Sequence, residues 1–210
     1  DAYMPDNSSK YNTTLNFDHK LWQYSDWRNY EIKYRPDLWW NNYDGLKIGL
    51  NLNGGYMKHH HLFNITSWFN TSILQKDSIN KSNKYDYYSY RLNYDSHIDR
   101  VSPNTRLKVN SQFIAGLYTN KLIIEKSDNK KKNKITVNLL SLYRTNNNYV
   151  THYNLITGMM NNRIDINLEH KYKYSYGNGI INLNLQSSAI GSDYDYNKLI
   201  LEVQNHNLMN

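Results

Sequence analysis

The 210-residue chain contains no cysteine. Disulfides, thiolate metal sites and thiol nucleophiles are thereby excluded. Proline is limited to Pro5, Pro36 and Pro103, and glycine to nine residues, so the chain is neither collagen-like nor of low complexity. No stretch approaches the ~20 consecutive apolar residues of a membrane-spanning helix. That absence leaves strands open as a way across a bilayer, because a barrel strand is only half apolar and its averaged hydropathy looks polar. The opening Asp1-Ala2-Tyr3-Met4-Pro5 lacks the pattern of a signal peptide, so the chain is read either as a mature form or as a piece of something longer. No Gly-x-Ser-x-Gly elbow is present. Gly54-Gly55 and Gly177-Asn178-Gly179 match neither a P-loop nor a dinucleotide fingerprint. The sequence therefore offers no catalytic residue, no cofactor site and no metal site.

What is abundant is asparagine and tyrosine, the latter at 21 residues, with a formal charge of +7. Asn, Lys, Ile and Tyr together suggest an AT-rich genome, which would explain an excess of asparagine but not where the tyrosines and aliphatics fall. A charge of this sign invites an anionic partner. However, its densest run, Lys130, Lys131, Lys132 and Lys134, sits between two strand-like segments and reads as a solvated hairpin tip rather than a nucleic-acid surface.

From Asn29 onward the dominant period is two, the signature of half-buried strands. Tyr30, Ile32 and Tyr34 alternate with Glu31, Lys33 and Arg35. Leu46, Ile48, Leu50 and Leu52 alternate with Lys47, Gly49, Asn51 and Asn53. Phe63, Ile65 and Phe69 oppose Asn64, Thr66, Trp68 and Asn70, after a short link near residues 56–60 that reads as a hairpin. Tyr88, Tyr90, Leu92 and Tyr94 follow. Leu107, Val109, Phe113, Ala115 and Leu117 come next as one segment, then strands flanking the lysine run. Ile164, Ile166 and Leu168 alternate with Asp165, Asn167 and Glu169. Ile181, Leu183 and Leu185 alternate with Asn182, Asn184 and Gln186, and Leu199, Leu201 and Val203 end the series. The expected fold is all-β, an antiparallel up-and-down meander of about 9–10 strands over residues 29–210 that forms part or all of a barrel. Residues 149–160 are left open between a strand and a short helix. Residues 1–28 lack a sustained period and read as an irregular lead-in or linker.

Two features favour a barrel in an outer membrane over a soluble one. The face opposite the aliphatics is rich in amides and hydroxyls, which suit a wet lumen. Aromatics gather near strand ends, as an interfacial girdle requires: Trp39, Trp40, Tyr88, Tyr90, Tyr172 and Tyr174. The lipid-facing set is then Leu46, Ile48, Leu50, Leu52, Ile164, Ile166, Leu168, Ile181, Leu183 and Leu185. The rival expectation is a soluble barrel or sandwich that binds a ligand, with the same aliphatics turned inward.

The stretch Tyr34-Arg35-Pro36-Asp37-Leu38-Trp39-Trp40-Asn41-Asn42-Tyr43-Asp44-Gly45, continuing to Leu50, resembles the C-terminal β-rich membrane region of M1-family (gluzincin) metallopeptidase-like proteins of Bacteroidetes-type bacteria. Gly191-Ser192-Asp193-Tyr194-Asp195-Tyr196 and Glu169-His170-Lys171-Tyr172-Lys173-Tyr174 before Gly177 add to the resemblance, which covers roughly residues 28–205. It implies an outer-membrane anchor or pore, with the lipid bilayer as partner and a zinc peptidase domain upstream. The family's His-Glu-x-x-His helix has no counterpart here, so no catalytic residue carries over.

Three smaller patterns read as turns. His59-His60-His61 can converge on a metal only through His59 and His61, and no carboxylate follows within ten residues. Asp44-Gly45 lacks the length and oxygen spacing of a calcium loop. Asp193 and Asp195 with Gly191 form a second acidic loop, read as a turn, with an extracellular calcium ion as the lesser alternative.

Overall fold

A computed structural model of the chain describes residues 12–18, 28–56, 60–75, 86–145, 149 and 158–207. They form one eleven-stranded sheet in sequence order. The strands are β1 (Asn12–Phe17), β2 (Asn29–Asn41), β3 (Gly45–Tyr56), β4 (His60–Asn70), β5 (Tyr88–His97), β6 (Thr105–Ile114), β7 (Leu117–Ser127), β8 (Asn133–Arg144), β9 (Met160–Tyr174), β10 (Gly177–Ser188) and β11 (Asn197–Asn207). Ten of them, β2 to β11, form the antiparallel meander that the alternation predicts. The eleventh lies in the stretch expected to be irregular: β1 pairs with β2 in parallel, Asn12 beside Asn29 through Phe17 beside Tyr34. Its Thr13, Leu15 and Phe17 alternate, but six residues between polar neighbours are too few to stand out as a period. β1 and β11 are the edges of the sheet and do not pair with each other, so the described residues do not close a barrel.

One boundary differs from the sequence expectation. Leu107 to Leu117 read as a single strand, but the chain turns at Ala115 and Gly116, and Leu117 opens β7. Both turn residues have positive φ, 52° and 68°. This is the mirror-image hairpin turn whose twist suits the flanking strands. Alanine at its first position hides the turn, because asparagine or glycine is the usual occupant there. Phe113 and Tyr118 stack across it, ring centroids 4.2 Å apart. The lysine run falls on the β7–β8 turn, where Asp128 accepts from the Lys132 N–H at 2.8 Å and Lys130 to Lys132 are exposed. The expected hairpin between β3 and β4 has its tip, residues 57–59, outside the described residues. So do residues 150–157 of the undecided 149–160 stretch, whose last residue, Met160, begins β9.

Burial is inverted relative to a water-soluble sheet protein. Trp68, 5% exposed, is the one large apolar side chain in the core among the described residues. Most of the other buried groups are polar, among them Lys47, Asn51, Thr66, Asn70, Ser89 and Asp165. Gly49 explains how Trp68 fits. The two residues are register partners, and a Cβ on Gly49 would lie 2.5 Å from the indole Cδ1 and 2.2 Å from the Ser67 carbonyl oxygen. The indole lies over the bare backbone and donates from Nε1 to Asp37 at 3.0 Å. Gly49→Ala is expected to cost about 1–3 kcal/mol through overpacking, read as a lower urea midpoint.

Candidate functional site

Each strand divides into two faces, and register carries the division from strand to strand. Leu50 stands beside Pro36 on β2 and Ser67 on β4, while Asn51 stands beside Arg35 and Thr66. All ten sequence-predicted aliphatics, Leu46, Ile48, Leu50, Leu52, Ile164, Ile166, Leu168, Ile181, Leu183 and Leu185, fall on one continuous face. Ile48, Leu50, Ile164, Leu168 and Leu185 are exposed on it, whereas Lys47 and Asn51 between them are buried. The aliphatic side is therefore the outer one and the amide side the enclosed one. Charge obeys the same division. Strands β2 to β11 hold 21 Asp, Glu, Lys and Arg residues, and only Lys126 lies on the aliphatic face. Lys126 sits near the end of β7, where its ammonium reaches Ser102 Oγ at 3.0 Å.

Aromatic residues border the aliphatic band. Following register partners from Leu50 leads through Ser67, Tyr90, Phe113, Tyr118 and Tyr143 to Met160. Following them back from Leu201 leads through Leu183, Leu168 and Ile135 to Lys126. The middle of the band thus slides along the register by about one residue per strand crossed; at ~3.3 Å per residue and ~4.8 Å between strands, a band of constant height needs strands tilted by about 35°. Of the predicted interfacial aromatics, Trp40, Tyr88, Tyr90, Tyr172 and Tyr174 share the aliphatic face, near strand ends. Tyr172 and Tyr174 hydrogen-bond Asn205 and Asn207 of β11. Trp39 cannot join them, because neighbours along a strand point oppositely. Its ring lies on the enclosed side, with the Lys47 ammonium 4.7 Å from its centroid.

That ammonium anchors a cluster which sequence reasoning missed. Lys47 Nζ lies 2.6 Å from Asp44 Oδ2 and donates to Ser89 Oγ at 3.2 Å, with both ion-pair side chains fully buried. Asn41 braces the turn, its Oδ1 accepting the Asp44 N–H at 2.7 Å and its Nδ2 donating to Asp44 Oδ2 at 2.9 Å. Tyr149, from the β8–β9 connection, donates its hydroxyl to the other Asp44 oxygen and accepts the Asp86 N–H at 2.9 Å. The only sequence trace of this was one lysine in an otherwise uncharged β3; Ser89 lies 42 residues from that lysine, and Tyr149 lies 105 residues from Asp44. Beyond the cluster, amides form a side-chain ladder: Asn51 Nδ2 donates to Thr66 at 2.6 Å and Asn64 at 3.1 Å, and Asn53 donates to Asn51 at 3.3 Å.

Of the triple histidine, His59 lies outside the described residues, and His61 Nδ1 is 2.8 Å from the Tyr94 hydroxyl; among the described residues no three His, Asp or Glu side chains gather as metal ligands. In the second acidic loop, Asp193 accepts the Met160 N–H at 2.5 Å and Asp195 accepts from Ser188 at 3.1 Å, so both carboxylates pin the loop to the sheet. Comparison with known proteins gives no matching family model, no matching curated protein and no matching solved structure. The likeness to the M1-type membrane region therefore rests on the quoted motifs alone.

Removing one member of a buried ion pair strands the other. Lys47→Met is expected to cost ~3–5 kcal/mol in urea titrations, and adding Asp44→Asn to recover part of it. Burial, then the hydrogen bond and charge of Asp44, push Tyr149 ionisation above its ordinary 10.0. The folded chain thus favours the neutral phenol. Its contribution is intact below pH 10.0 and is lost as pH rises further. Stability above that pH should fall more steeply in the parent than in Tyr149→Phe.

Proposed function

We propose that this chain is a β-barrel module of a bacterial outer membrane, serving as anchor or pore, with its aliphatic face against lipid. The observation that carries this reading is the inverted burial: lysine, asparagine and serine enclosed, while Leu38, Leu199 and Leu201 are each more than 60% exposed. In water, such a face would forfeit about 25 cal/mol for every Å² of apolar surface left unburied. Against acyl chains it loses nothing. The border of tyrosines, the drift of the band and the near absence of charge from that face each suit an interface of fixed height. On the enclosed side, the side-chain carbonyl oxygens of Asn167, Asn182 and Asn184 are buried and accept no hydrogen bond from the described residues. In a dry interior each would cost about 1–3 kcal/mol, so a wet one fits better. The soluble ligand-binding alternative needs the aliphatics packed inward, opposite to their exposure here.

A connection to an upstream M1-type peptidase domain is part of the proposal only through the sequence resemblance. This chain contributes no peptidase residue to it.

Leu50→Arg and Ile166→Arg are expected to destabilise the folded state in vesicles by about 2–4 kcal/mol each, as charge does at a bilayer midplane. Gln112→Arg, on the enclosed face, should be tolerated. Heat-dependent gel mobility and urea titration in lipid read both. Arginine variants of the outer face that fold normally without lipid or detergent would overturn the proposal.

A further inference from the structure

The enclosed face is not electrically balanced. Its strand positions carry 13 Lys and Arg against seven Asp and Glu. The acidic residues are largely engaged: Glu31 with Lys33, Asp95 with Arg106, Glu125 with Lys108 and Lys134, Asp165 with Arg163, and Glu169 with Lys171. Arg35, Arg91 and Lys121 have no ion pair among the described residues. Both arginines are exposed on this face.

Their placement is systematic. Register links Arg35 to Arg91 through Asn51 and Thr66, and links Lys121 to Asn110, Asn93, Asn64 and Asn53. Each cation is also next in sequence to an outer-face residue of the apolar band: Pro36, Leu92 and Leu122. On strands tilted as the band requires, Arg91 and Lys121 lie near the same depth behind the band, and Arg35, on the Arg91 register row but three strands away, lies about 8 Å from them along the axis. The groups between them are neutral amides and hydroxyls, which solvate an ion without fixing it. A water-filled passage lined with uncompensated basic side chains lowers the energy of anions there and raises that of cations.

We propose that the space behind the enclosed face conducts small anions in preference to cations, with Arg35, Arg91 and Lys121 setting that preference. The inference rests on the barrel reading above and adds a solute class to it. The full chain, folded into vesicles and fused to a planar bilayer under a potassium chloride gradient, is expected to give a reversal potential on the chloride side. Arg35→Glu with Arg91→Glu should carry it toward potassium with a several-fold fall in the chloride-to-potassium permeability ratio. Arg35→Gln with Arg91→Gln should move it partway. Lys130→Glu with Lys131→Glu, the same charge change in the exposed β7–β8 turn, should move it far less. Cation preference in the unaltered chain, no movement in either arginine variant, an equal shift from the turn variant, or inserted protein that passes no current would each overturn the inference. Insertion is scored separately, by protease protection and heat-dependent mobility. A chain that fails that score removes the barrel reading and this inference with it.

Discussion

The backbone ladder running from β2 to β11, with a register irregularity between Gly54 and Tyr56 at the end of β3, is the interaction on which everything else rests. Strands β2 to β10 pair on both sides and β11 on one, and this fixes the register that assigns every side chain to one face or the other. A slip of one residue between any two strands would carry Lys47 or Arg91 out to the aliphatic side and Leu50 or Leu92 into the amides. The sheet therefore has two independent side-chain environments that exchange no members, and the ladder decides which residue belongs to which.

Stability on the enclosed side is of an unusual kind. With Trp68 as its only large buried apolar side chain among the described residues, this side is held by polar contacts. The fully buried Lys47–Asp44 pair survives because every strong hydrogen-bonding direction is met: Asp44, Ser89 and the Trp39 ring for the ammonium, Asn41 and Tyr149 for the carboxylate. Asparagine suits the rest because it donates and accepts at once, so a ladder such as Asn53–Asn51–Thr66 links neighbouring strands through uncharged side chains.

Much of this architecture was legible in the sequence because the period-two signal is local. Leu46 to Asn53 reveal a strand, its two faces and their chemistry without reference to any other residue. The all-β meander and the membership of the aliphatic face follow from repeating that reading. What could not be read is what depends on partners far along the chain. β1 is too short for its alternation to register, and its parallel pairing is a tertiary choice. The Ala115–Gly116 turn breaks an alternation that continues through it by chance. Trp39 and Trp40 look alike in sequence, yet one borders the aliphatic band and the other meets Lys47. The Tyr149 contact spans 105 residues and has no local trace.

The parallel pairing of β1 has a consequence for parity. Directions alternate from β2 to β11, so β2 and β11 run oppositely. β1, running with β2, also opposes β11. A ring sealed at β2 would hold an even number of strands, and one sealed at β1 an odd number, yet both seams would be antiparallel. The lone parallel pair absorbs the odd strand, so the same chain can meet its own last strand at either edge without reversing a single element.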